Sequence, residues 1–418
     1  ERSYTMNLIK TPVKGMRDFL PEEMQIREYV ITKIKNTYIN FGYNIVETPI
    51  VEHIENLSSN QGGENEKLIF KILKRGEKLK EAEDTDLTDS GLRYDLTLPL
   101  SRFYANNANN LSYPFKSMQI GPVFRAERPQ KGRYRQFTQC DIDILGENSI
   151  IAEIDLITAT STLLNQFPIN YTIRINDRRI LSSMALYAGF KEEDIDKVLI
   201  SLDKLDKIGD TGVKTELLEK GFDEENIQTY LNLFKREVIN SPQDYCGNLF
   251  NDYLEDNIIE NLENIIVTAK NTCNANIIFD PTLVRGMSYY TGPIFEITSP
   301  EFQGSIGGGG RYDKMISKFI NISTPACGFS IGFERIITIL MDNNFEIPNQ
   351  GNSIAFLVEK GIQSEMLCNI LTEAQKLREE GIKVLVVRMN KNKKFQKDNL
   401  IEQGYKEFKE FYKNPIVK

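Results

Sequence analysis

The sequence predicts an α+β fold on three observations. Short strand-like runs cluster in two stretches, near 68–146 and 276–331. A charge-rich, helical segment with little β signal, about 184–269, lies between them. After a break at 342–353, DNNFEIPNQGNS by composition a linker, apolar strand patterns alternate with a helical one, as in a small α/β unit.

Taken in order, MQIREYVITKIKNTYINFGY (24–43) has helical apolar spacing, and NIVETPIVE then turns extended and meets Pro49. LIFKIL, GLRYDLT, FKSMQIGPVFRAE and RQFTQCDIDILG read as strands, and SIIAEIDLITATSTLLNQF (149–167) as a helix. Within the helical segment, DEENIQTYLNLFKREV is a clear amphipathic piece. NIIFD and GPIFEIT return to strand. GSIGGGG (304–310) is expected to open a helix-like RYDKMISKFI, and CGFSIGFERIITIL reads strand, turn, helix. SIAFLV, LCNILTEAQKLREEG and IKVLVVR supply the terminal unit, with YKEFKEFY a candidate third strand.

The bulk numbers exclude several classes. At 418 residues with 40% hydrophobic and 26% charged residues, the chain has the composition of a soluble protein of two or three domains. No apolar run reaches membrane-spanning length, and ERSYTMNLIKTPVKG lacks an apolar signal core, so a cytoplasmic location is expected. Five cysteines at 140, 246, 273, 327 and 368 have neither metal-like pairing nor an even framework, and fit reduced thiols. One histidine, His53 in a loop-like VEHIEN, leaves little material for a histidine metal site or general base. Net charge is −8, yet residues 381–418 hold ten Lys and Arg against four Asp and Glu. Binding follows local potential, so this basic tail is compatible with nucleic acid and with simple solubility alike.

The densest chemistry lies in FRAERPQKGRYRQFTQCDID (124–143). A strand alternates its side chains. Arg125 and Glu127 therefore point together, as do Arg133, Arg135, Phe137, Gln139, Asp141 and Asp143, while Thr138, Cys140, Ile142 and Ile144 form an apolar face. ERPQKGR, with Pro129 and Gly132, suits the turn between two strands. Such a hairpin face could hold a phosphate chain, a flat ring and an ammonium or imidazole in that order. It could equally be a solvated hairpin with incidental salt bridges.

Other stretches add candidates. RYDLTLPLSR places Asp95 and Thr97 on one face of a strand as an ammonium-binding pair, or else Thr97 caps a helix. LVRGMSYYTG groups Arg285, Tyr289 and Tyr290 around glycines, or is a hairpin with packed tyrosines. GGGGRYD permits close backbone approach but lacks the Lys-Ser/Thr ending of a phosphate loop and is no dinucleotide fingerprint. FERI puts Arg335 at a helix start, where a cation opposes the helix dipole unless an anion is near.

In this order, these motifs resemble class II aminoacyl-tRNA synthetases, and among them the histidyl-tRNA synthetases, from KGMRDFLPEE through the FERI helix. FRAERPQKGRYRQFTQCDIDILG resembles the second class motif, LVRGMSYYTGPIFE the histidine-specific signature, and GGGGRYD with ACGFSIGFERI the approach to the third motif. The resemblance implies a six- or seven-stranded antiparallel sheet flanked by helices in a catalytic domain over 1–341, with an inserted helical subdomain at about 184–269. It further implies a linker at 342–352 and a C-terminal α/β anticodon-binding-like domain over 353–418, apparently shortened. The first motif, 24–49, is implied to build a homodimer.

Carried over by position, Arg125 would hold the α-phosphate of ATP, Glu127 would lie near adenine and Mg2+, and Arg133 would reach the terminal phosphates. Phe137 would stack on adenine, sandwiched against Arg335. Asp95, Thr97 and Gln139 would hold the amino group of L-histidine. Asp143 and Tyr290 would bond the two imidazole nitrogens, with Tyr289 and Tyr312 lining the pocket, and Arg285 would press on the α-phosphate from the other side. Arg128, Gln130 and Lys131 would approach the acceptor end of histidine tRNA. The metal would come with ATP, not with a protein cage. The implied reaction is activation of histidine to histidyl-adenylate and its transfer to tRNA.

Two departures accompany the resemblance. Ser288 stands where the signature usually has Asp, and the C-terminal domain is short. The alternative is the synthetase-like regulatory subunit of ATP phosphoribosyltransferase, in histidine biosynthesis. That subunit typically lacks the anticodon domain and degrades the arginine-bearing motifs, whereas Arg125, Arg285 and Arg335 are all present here. A synthetase for another amino acid is a second alternative, opposed by Asp143 with Tyr290.

Overall fold

Val30, Ile34 and Tyr38 recur at four-residue spacing and are fully buried, so helix Pro21–Asn40 lays one apolar stripe inward. Pro21 at its first position, followed by Glu22 and Glu23, fixes where it starts. The structure, a computed structural model, describes all residues except 1–7, 59–64, 84–86, 131, 237–240, 256, 285–288, 321, 349–350, 415–418 and the side chains of 65 and 66. By internal contacts the chain divides into two units. One comprises Glu1–Phe19 with Arg27–Asn344, and the other Leu20–Ile26 with Phe345–Lys418.

The larger unit is built on an eight-stranded sheet. Its strands are β1 (Asn44–Ile45), β5 (Phe115–Phe124), β6 (Gln136–Leu145), β7 (Thr172–Asp177), β8 (Ile277–Phe279), β9 (Pro293–Ser299), β10 (Phe302–Arg311) and β11 (Ala326–Ile331). Their order is β1-β5-β6-β11-β10-β9-β7-β8. The six central strands pair antiparallel, while the short edge strands β1 and β8 join parallel. The expected six or seven strands are thus exceeded by edge strands of two and three residues, too short to show a period in sequence. Beside it, β2 (Val51–His53), β3 (Lys71–Leu73) and β4 (Thr88–Leu92) form a small antiparallel sheet, so His53 ends a strand and not a loop.

Between β7 and β8 the chain makes a helical excursion that opens at Arg178–Tyr187 and returns through Ile258–Cys273. Asp177 starts it by accepting the Arg179 amide as an N-cap. The returning helix packs on helix Ile151–Leu164, whose length and position match the expected helical pattern.

Two elements differ from the sequence reading. Asp95 and Thr97 do not share a strand: β4 ends at Leu92, and helix Thr97–Asn107 begins at Thr97. Asp95 Oδ1 accepts the Leu98 amide at 3.2 Å, and Pro99 in the first turn removes no helical hydrogen bond. The glycines 307–310 lie inside β10, and 312–320 is irregular apart from one 3-10 turn at Ile316–Lys318. Local propensity is overruled there by three side chains drawn to different partners: Arg311 to Glu153, Tyr312 to Asp143, and Asp313 to the Ala326 amide.

The smaller unit holds three parallel strands, β12 (Ser353–Val358), β13 (Lys383–Arg388) and β14 (Glu407–Phe411), in the order β13-β12-β14. Phe356 and Val358 pack on Ile370 and Ala374 of helix Ser364–Glu379, while Ala355 and Leu357 pack on Leu400 of helix Lys393–Glu402. Burial on both faces explains why IAFLV (354–358) is apolar throughout. Among the described residues, no helix is long and apolar enough to cross a membrane.

Candidate active site

Alternation along β6 sorts its side chains onto two faces. The even residue Thr138 meets the Arg27–Glu334 pair: its amide donates to Glu334 Oε1 at 3.0 Å, and Arg27 grips both Glu334 oxygens at 2.6 and 2.8 Å. The odd residues Phe137, Gln139, Asp141 and Asp143 line the other face, with partners on β11 and beyond.

At the open end, Arg125 follows β5. Its amide bonds the Arg135 carbonyl at 2.8 Å, its Nε bonds the Tyr94 carbonyl at 2.9 Å, and its guanidinium carbon lies 5.0 Å from the Phe137 ring centroid. Glu127 pairs with Arg133 at 3.6 Å, and the half-exposed Arg133 side chain loses little by leaving such a partner. Gln130 and Arg133 exchange both backbone hydrogen bonds at the hairpin tip, where Gly132 takes φ 70°. Arg128 and Gln130 are exposed. Lys131 lies outside the described residues, as do Arg285 and Ser288.

Arg335 lies with its guanidinium carbon 5.7 Å from the Phe302 ring centroid and donates to the Ser305 carbonyl. It is the third residue of helix Phe333–Asp342. The neighbouring Glu334 supplies an acid in that first turn, and its charge is taken up by Arg27.

At the closed end, Asp143 is buried against Tyr312. Tyr312 Oη donates to its Oδ1 at 2.5 Å, and Oδ2 has no partner among the described residues. Tyr289 packs edge-on to Tyr312 at 6.1 Å and against Tyr290 at 4.8 Å. Glycines leave room for these groups: a Cβ on Gly328, across the ladder from Asp143, would stand 2.0 Å from Oδ1. One on Gly310 would stand 2.6 Å from the Pro293 carbonyl and 3.0 Å from the Tyr290 ring. On the opposite neighbour β5, Ser117 faces Asp143, and its hydroxyl too is buried with no partner among the described residues.

Burial dominates the electrostatics of this end. Burial pushes the Asp143 carboxyl up to about 7, with the Asp95 charge adding and the Tyr312 hydrogen bond opposing. Burial also raises Asp141 well above the ordinary range, helped by Asp143 and resisted by the Ser330 hydroxyl. Asp95 is raised by burial against the Leu98 amide, Arg125 and Arg93. Asp95 adds its charge to both Asp141 and Asp143, so three raised, buried carboxyls would be relieved by a ligand bringing positive charge or N–H donors. No group of three His, Cys, Asp or Glu among the described residues could hold a metal ion.

The structure therefore brings Arg125, Phe137, Gln139, Asp143, Tyr289, Tyr290 and Tyr312 to one surface of the sheet. Three contributors escaped the sequence reading. Glu153 receives Arg311 through two bonds of 2.6 and 2.9 Å and so anchors the residue before Tyr312. Ser330 bridges Gln139 and Asp141. The Arg27–Glu334 pair backs the strand from behind. None of the three carried a local signal, whereas Asp141, which Ser330 holds, did so by sharing the odd face.

A family model described as histidyl-tRNA synthetase matches residues 15–336. A histidine–tRNA ligase of Leifsonia xyli subsp. xyli is 41% identical over 414 residues, covering 95% of this chain and 94% of the relative. Among solved structures, a histidyl-tRNA synthetase from Nostoc sp. PCC 7120 superposes with a TM-score of 0.77 at 27% identity, covering 95% of this chain and 90% of the other. An ATP phosphoribosyltransferase regulatory subunit/histidyl-tRNA synthetase from Bacillus halodurans superposes with a TM-score of 0.75, covering 97% and 99%. Its 18% identity makes that likeness one of fold alone.

Proposed function

From membership of the histidyl-tRNA synthetase family, to which this chain belongs, we infer that it joins L-histidine to the 3′ end of histidine tRNA through a histidyl-adenylate. A carboxylate oxygen of histidine attacks the α-phosphorus of ATP. The new P–O bond forms as the bond to the leaving pyrophosphate breaks. The terminal ribose hydroxyl of the tRNA then attacks the activated carbonyl and gives up its proton, and AMP departs with the bonding electrons.

The attacker is already an anion, so the first step requires alignment and positive charge, not a general base. Arg125, fixed through the Tyr94 carbonyl, is assigned to the α-phosphate, and Phe137 to the adenine face with Arg335 opposite. Arg285, outside the described residues, is assigned to the second side of the α-phosphate by its place in LVRGMSYYTG. Arg133 is assigned to the terminal phosphates. Glu127, the one acid of the 125–133 loop, would share a magnesium ion held chiefly by phosphate oxygens. That ion, when bound, neutralises charge on the pyrophosphate.

Histidine lies toward the tyrosines. Gln139, Asp95 and Thr97 are assigned to its amino group, and Asp143 Oδ2 and Tyr290 to the imidazole nitrogens. The observation that carries this is the buried Asp143 Oδ2, oriented by Tyr312 through the other oxygen and lacking a partner among the described residues. A ring without the matching N–H would leave it unpaired, at a cost of about 1–3 kcal/mol. The exposed Arg128 and Gln130, with Lys131, are assigned to the tRNA acceptor end, the 24–49 region to a homodimer, and the cytoplasm to the protein's location.

Histidine-dependent exchange of pyrophosphate into ATP tests the reading. Exchange with histidine, and none with proline, threonine or glycine, is expected. Background exchange with every amino acid would favour the regulatory subunit instead.

A further inference from the structure

Gln139 is held at one end only. Its Nε2 donates to Ser330 Oγ at 3.1 Å and lies 3.5 Å from Asp141 Oδ2. Ser330, the direct cross-strand partner of Asp141, donates its own hydroxyl hydrogen to Asp141 Oδ1. The chain of donors thus runs from Gln139 through Ser330 to the carboxyl. The other end of the amide, Oε1, is buried and has no partner among the described residues. The two ends of an amide are nearly alike in shape, so hydrogen-bond partners decide which way it faces. Here both acceptors engage the NH2 end.

This orientation has a chemical consequence. An ammonium is donor-only and requires an acceptor. With its carbonyl presented, Gln139 can receive one; with the amide turned over, it would set an N–H against N–H. We propose that Asp141 and Ser330 are positioning residues that hold the Gln139 amide with its carbonyl toward the substrate ammonium. Neither needs to touch the substrate. The proposal rests on the reading that Gln139 receives the α-amino group of histidine.

The test uses the full chain and three ligands measured by calorimetry: histidine, histidinol (ammonium kept, carboxylate absent) and 3-(imidazol-4-yl)propionate (ammonium absent). Asp141→Asn should weaken histidine and histidinol by about 10- to 100-fold, the range of a lost hydrogen bond to a charged group. Ser330→Ala, a small change that keeps the carboxyl, should weaken the same two by roughly 3- to 10-fold. Binding of the propionate should stay within about twofold of wild type in both variants, because it lacks the charge being read. In pyrophosphate exchange, KM for histidine should rise more than kcat falls. If Asp141→Asn does not fold, Ser330→Ala decides alone. Equal loss for all three ligands, or loss in Asp141→Asn with none in Ser330→Ala, would overturn the positioning role. Wild-type protein that binds the propionate but neither ammonium-bearing ligand would instead sink the assignment of Gln139 and the proposal with it.

Discussion

Tyr312 and Asp143 form a 2.5 Å hydrogen bond that uses one carboxylate oxygen and leaves the other buried without a partner among the described residues. A carboxylate held at one end and unsatisfied at the other is costly in the empty protein and selective in the loaded one. Four expectations follow from it and from the contacts that support it.

Asp143→Ala should raise KM for histidine about 100-fold, as expected for a charge-assisted hydrogen bond of roughly 2–3 kcal/mol, and leave KM for ATP nearly unchanged. Steady-state pyrophosphate exchange with each substrate varied in turn measures both. A parallel rise in the two constants would mean that the residue supports the sheet and not the imidazole.

Asp143 should also destabilise the empty protein at alkaline pH. Its carboxyl is raised to about 7 in the fold, above the ordinary Asp value. The folded state therefore holds the proton more tightly, and the stability this gives is full at acid pH and lost as pH rises through 7. Asp143→Asn keeps an acceptor for Tyr312 and carries no charge. Its melting temperature should exceed that of wild type at pH 8, and the gap should narrow as pH falls below 7 and close only near pH 4, where the unfolded Asp is protonated too. Calorimetry of ligand-free protein at both pH values checks the sign.

Gly328→Ala should disturb the same carboxylate without changing its chemistry. The added Cβ would meet Asp143 Oδ1 at 2.0 Å, so the side chain or the β6–β11 pairing must move. Overpacking of this kind costs about 1–3 kcal/mol of stability. Histidine affinity should fall at least as far as in Asp143→Ala, whereas Gly42→Ala, at an exposed site of positive φ with open space around it, should affect stability alone.

Removal of Arg27 should act from the back of the strand. Arg27 and Glu334 are 5% and 6% exposed, so truncating one strands the charge of the other. Arg27→Ala is expected to cost about 3–5 kcal/mol in urea unfolding, while the double replacement Arg27→Met with Glu334→Leu should recover much of it. Additive losses in that cycle would mean that the pair is not coupled.

The period-two pattern of 137–143 made the site face legible in sequence, because strand alternation needs no tertiary information. The same reading failed at Asp95–Thr97, where capping of the Leu98 amide by Asp95 turns an apparent strand into a helix start. It failed again at Gly307–Gly310. Those glycines were expected to open a helix, yet they occupy β10, where neighbouring strands leave little room for side chains, with the Gly328 carbonyl 1.9 Å from where a Gly309 Cβ would be. The hydrogen bond from Tyr312 to Asp143 spans 169 residues, and Ser330 to Asp141 spans 189. Pairings so distant along the chain leave no local trace, which is why these two hydrogen bonds emerged only from the fold.

A crystal structure with a non-hydrolysable histidyl-adenylate analogue bears most directly on the proposal that nucleotide and imidazole lie end to end along β6. The expected density has adenine against Phe137, the phosphate mimic at Arg125 and an imidazole nitrogen within hydrogen-bond distance of Asp143 Oδ2. An imidazole placed elsewhere, with Asp143 Oδ2 still lacking a partner, would contradict it.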